Sequence, residues 1–88
     1  MKLVLCKNCQ DVFKLSTKAA RVCACGQSSG RYLADGWYAE ISGTNAVAIC
    51  FLNNELADAV ISQPESGGRG IEFTAFVAAK DHPTIKRL

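Results

Sequence analysis

The chain contains a single histidine, His82, and no apolar run longer than the seven residues of "AVAICFL" at 46–52. A bilayer-spanning helix needs about 20 apolar residues, so no membrane span is expected. The opening "MKLVLCK" holds only four apolar residues between lysines, too few for the apolar segment of a secretory signal. The expectation is a complete cytoplasmic chain. No paired carboxylates and no nucleophile–base arrangement occur, which leaves general acid–base and nucleophilic catalysis without their usual players. Internal repeats and low-complexity tracts are also missing. With 49% hydrophobic and 20% charged residues, the composition is that of a folded domain rather than a disordered one.

Cysteine is what the chain has in excess: five in 88 residues, an odd number. A reducing compartment disfavours a disulfide framework, so closely spaced pairs point to metal ligands or redox thiols. Cys6 and Cys9 form a C-x2-C pair, and Cys23 and Cys25 a C-x-C pair thirteen residues further on. Two chelating turns joined by a hairpin-length segment can present four thiolates as a tetrahedron, the arrangement of a zinc ribbon. Gly26 suits the second turn, where positive φ lets backbone N–H groups point at sulfur. The narrow second pair and Gln10, in place of glycine after the first, depart from the usual ribbon. Zn²⁺, one ion, is the expected cofactor; iron shares the same ligands. Four protein thiolates leave no open coordination position, so the metal would be structural rather than catalytic. A redox pair at Cys6/Cys9 is the alternative, although no βαβ pattern surrounds it. Cys50 lies among apolar neighbours and reads as a small buried hydrophobe.

The expected fold is α+β: a zinc-ribbon-like segment at 1–29, then a body at 30–88 of short antiparallel strands covered by one helix, compact as a single domain. "DVFKL" at 11–15 reads as a strand. Asp35-Gly36 signals a hairpin turn, after which "WYAEIS" alternates Trp37, Ala39 and Ile41 against Tyr38, Glu40 and Ser42. "AVAICF" reads as a central strand. Asn53 is the expected N-cap of a helix that presents Leu56, Ala57, Val60 and Ile61 on one stripe and stops at Gln63-Pro64. "PESGGRG" lacks the lysine and the strand-to-helix setting of a phosphate-binding loop and reads as a linker. "IEFTAFVAA" at 71–79 is the clearest strand by pattern. The polar ending "KDHPTIKRL" is expected to lie along the body or to fray.

The segments "LCKNCQDVFKL", "RVCACGQSSGRY" and "GGRGIEFTAFVAAKDHPTIKRL" resemble small uncharacterised bacterial proteins with an N-terminal zinc-ribbon-like segment. The resemblance spans most of the chain and implies metal binding by Cys6, Cys9, Cys23 and Cys25.

Charge is unevenly placed. Residues 1–31 carry six bases against Asp11, residues 32–68 five acids and no base, and the remainder four bases against two acids, which sum to the net +2. A basic front is the footprint of a phosphate-binding surface. Lys7, Lys14, Lys18, Arg21 and Arg31, with Tyr32 and Tyr38 beside them, are therefore the candidate partner-binding residues. The functional expectation is a non-catalytic structural-zinc module that recognises a protein or a nucleic acid, with a homodimer through strand edges as a further possibility. An enzyme with its site near His82 is the remaining alternative, which a cleft shared by His82 and Cys50 would strengthen.

Overall fold

The computed structural model describes residues 1–88. Alternating apolar runs become the strands that organise it. "KLVLC" forms β1 (Lys2–Cys6) and "AVAICF" forms β6 (Ala46–Phe51), and each turns alternate residues inward. Between them in sequence lie β2 (Val12–Lys14), β3 (Arg21–Val22), β4 (Ser29–Tyr32) and β5 (Ala39–Ser42). One helix, α1 (Asn53–Ile61), then leads to β7 (Ala75–Val77) and β8 (Ile85–Arg87). Two four-stranded sheets result. The first has the order β2-β1-β6-β7, and the second β3-β4-β5-β8. All pairings are antiparallel except β5 with β8, which run parallel.

The sheets enclose a thin core. Val4, Ala46, Ala48 and Cys50 from the first meet Ala39, Ile41 and Ile85 from the second, with Leu15 at the edge. Small residues dominate because the sheets approach closely. A Cβ on Gly30 would stand 2.9 Å from the Leu15 side chain and 3.1 Å from that of Ile41. Cys50 is buried in this core, as its apolar neighbours indicated. Only 13 of 88 residues are buried, which leaves much of the ordering to other interactions.

The α+β class holds, but the arrangement differs from expectation in three ways. The helix does not cover a sheet, since none of its residues is buried. Its N-cap is Leu52, without a side-chain cap, because Asn53 instead accepts a hydrogen bond from the N-terminal amine. The stretch at 71–79 shortens to a strand at Ala75–Val77, all exposed, paired with Ile49–Phe51 of β6. Conversely, the polar tail is tied down. Ile85 inserts into the core, and Leu88 N–H donates to Ile41 O at 2.8 Å. Residues 1–29 are woven into both sheets, with β1 paired on one side to β2 and on the other to β6.

Candidate metal centre

Cys6 ends β1, and the chain turns at once. Gln10 N–H donates to Cys6 O at 2.7 Å, and Gln10 takes φ +62°, the left-handed conformation usually left to glycine. The second turn is one residue tighter but ends alike: Gly26 N–H donates to Cys23 O at 3.0 Å, with Gly26 at φ +80°. The missing glycine after the first pair thus changes the residue and leaves the positive φ in place.

These two turns face each other. The sulfurs of Cys6, Cys9, Cys23 and Cys25 all lie within 4.8 Å of one another. Cys6 Sγ is 3.8 Å from Cys25 Sγ, which is in turn 3.5 Å from Cys23 Sγ. All five cysteines are free thiols. A sulfur–zinc distance of about 2.3 Å sets tetrahedron edges of about 3.8 Å. The four thiols therefore fit a tetrahedral metal ion, and the cluster could hold one.

The surroundings favour negative sulfur. Ser28 N–H donates to Cys23 Sγ at 3.3 Å. The Ser28 hydroxyl, fully buried, makes no well-formed hydrogen bond. Its closeness to Cys6 nonetheless lowers that thiol, with help from the backbone N–H groups of Cys9 and Asn8, to a pKa of about 6. Burial pushes Cys23 up, but the Ser28 N–H and the Cys25 thiol outweigh it and the net shift is downward. For Cys9 the backbone of Asp11 and Cys25 pulls down, while burial and the neighbouring thiols leave it raised. Crowded sulfurs divide protons unequally in this way, and a cation among them relieves the repulsion.

Sequence reading missed the frame around the sulfurs. Asp11 ties the turns together, its main-chain oxygen accepting from Cys6 N–H at 2.9 Å and its carboxylate from Ala24 N–H at 2.9 Å. The β5–β6 turn braces the same assembly. Lys7 N–H donates to Asn45 O at 2.9 Å, and the Asn45 amide to Gln27 Oε1 at 2.9 Å. Gly43 (φ +108°) packs so closely that a Cβ there would lie 2.2 Å from Gln27 O. The one available signal is the turn composition of "GTN" at 43–45, which marks a change of direction and says nothing of what the turn touches.

The candidate partner-binding residues separate. Arg21 donates to Lys14 O at 3.1 Å, which places these two together. Lys7 stands on the first cysteine turn, exposed, and Lys18 lies in the turn after Leu15. Arg31 pairs with Glu40 at 3.3 Å. The Tyr32 hydroxyl accepts from Lys2 N–H at 2.7 Å and is half-buried, whereas Tyr38 is 48% exposed. His82 and Cys50 do line one cleft. Burial pushes the Cys50 thiol up, with Lys2 opposing, so it is a poor thiolate. His82 Nδ1 is engaged by the Thr84 hydroxyl at 3.0 Å.

No family model matches the chain, and no curated protein or solved structure matches it either. No helix is long and apolar enough to cross a membrane.

Proposed function

We propose that the protein is a non-catalytic binding module whose fold is held by one zinc ion on Cys6, Cys9, Cys23 and Cys25. The convergence of four sulfurs at near-tetrahedral spacing carries this reading. Thiolates are soft ligands suited to zinc, and a four-thiolate shell leaves no position for substrate. The Cys6/Cys9 redox alternative is weaker because Cys6 is fully buried, and an exchanging thiol must be reached. Native mass spectrometry should find one zinc per chain. Cys9→Ser or chelation should unfold the sheet ends beside the turns, seen as lost circular dichroism. Metal-free protein with an unchanged spectrum and melting would end the proposal.

A protein partner fits the surface better than nucleic acid. Leu3, Leu5, Val47 and Ile49 lie on the outer face of the first sheet, only half-buried, and Val12 and Val77 extend the face at 46% and 68% exposure. An apolar face of this kind is a protein-contact surface. The basic front, by contrast, is thinned by the burial of Lys2 and by the Arg31–Glu40 pair. Retention on immobilised single-stranded nucleic acid at low salt, with a steep salt dependence, would reverse the preference.

A further inference from the structure

At the Lys2 end of β1, away from the four clustered cysteines, lies a cleft of about 490 Å³, within the range of small-molecule sites. Its floor is one cross-strand row: Lys2 of β1 stands directly opposite Cys50 of β6, and Cys50 opposite Phe76 of β7. Trp37, His82 and Thr84 line it from the side of the second sheet. Phe76 and His82 lie ring to ring, 6.1 Å between centroids.

Lys2 is the anomaly in this cleft. It is only 7% exposed, and no carboxylate pairs with it. One ammonium N–H goes to Trp37 O at 2.7 Å, and the Trp37 and Tyr32 rings stand 4.8 and 5.7 Å from Nζ. The ring faces offset part of the lost hydration, but neither they nor the carbonyl neutralise the charge. No acidic residue lines the cleft, so its field is positive, set by Lys2 and by the N-terminal ammonium of Met1 beside aromatic walls.

We propose that this cleft binds a small organic carboxylate with a flat apolar body, the carboxylate on Lys2 and the flat body against Trp37 and Phe76. The N-terminal ammonium of Met1 also lines the cleft but donates to Phe51 O and to the Asn53 side chain. Lys2 is therefore the cation left to balance one negative charge, which favours a carboxylate over a doubly charged phosphate monoester beside so little-exposed an ammonium. A charge-assisted bond in place of water completes the ammonium's hydrogen bonding. This site is independent of which metal the cysteines hold.

Trp37 is the only tryptophan, so its indole N–H gives a single, assignable signal in a nitrogen–proton correlation spectrum of the full, metal-loaded chain. Titration with 1-naphthoate should shift that signal together with those of Phe76 and His82. The neutral 1-naphthamide should bind at least about tenfold more weakly, the scale of a hydrogen bond to a charged group, and 1-naphthyl phosphate no more tightly than naphthoate. Lys2→Met should erase the difference between naphthoate and naphthamide. Should that variant not fold, Phe76→Ala, at a 41% exposed position, should weaken naphthoate and naphthamide alike. Equal binding of acid and amide by the native chain, preference for the phosphate, shifts outside the cleft, or no binding at millimolar concentration would each overturn the assignment.

Discussion

At the scale of residues, the cysteines are held by groups that coordinate nothing. Asp11 serves both turns at once, through its main chain to Cys6 and its carboxylate to Ala24. Removing that carboxylate frees one turn from the other while all four sulfurs remain. Asp11→Ala should therefore keep one metal per chain but weaken its affinity about 10- to 100-fold, the usual cost of losing a supporting shell, as read by competition with a chromophoric chelator. Gly43 is constrained twice, by its φ of +108° and by the Gln27 carbonyl that a Cβ would strike. Gly43→Ala should cost about 3 kcal/mol, lowering the Tm by roughly 12–24 °C in a domain of this size. Gln10 presents the opposite case, a side chain already held at φ +62°. Gln10→Gly should raise the Tm by a few degrees, because relief of left-handed strain exceeds the added chain entropy.

Among the elements, β8 and α1 exchange the roles their sequences suggest. The tail is polar and contains a proline, yet Ile85 anchors it and a parallel pairing to Ala39–Ile41 holds it. The helix has the expected periodicity but buries no residue fully: Leu56 and Ala59 are half-covered, and Val60 and Ile61 remain 64% and 82% exposed. A nine-residue helix without tertiary burial is marginal in water. Amide hydrogens of Asn53–Ile61 should exchange close to unstructured rates in the isolated monomer, while those of β1 and β6 are protected most. Strong protection of the helix at low protein concentration would show that it is held by contacts within one chain. The periodicities of β5 and β6 were legible because their burial alternates strictly. Those of α1 and the 71–79 stretch misled because an apolar stripe states what could be buried, and only a neighbouring surface decides whether it is.

For the whole molecule, the radius of gyration of 14.2 Å exceeds the ~12 Å of a compact chain of this length. The excess reflects the 53–74 arm, which contains no buried residue. Together with the half-covered outer face of the first sheet, this surface is more apolar than a lone small domain usually carries. Sedimentation velocity should show self-association that rises with concentration and is suppressed by Leu5→Lys. A monomer at all concentrations would leave the apolar face to a different protein.

The sequence by itself determined the group of four cysteines that could hold a metal ion and the strand that follows its first turn, because closely spaced thiols and period-two burial are local properties that survive in a one-dimensional reading. Tertiary structure alone decided that Asp11 and Gly43 brace the cysteine turns, that Lys2 faces a cleft without a counter-charge, and that the helix stands uncovered. Each of those depends on which separate segment arrives opposite, and pairings from 13 residues apart upward leave no mark in the spacing of neighbours.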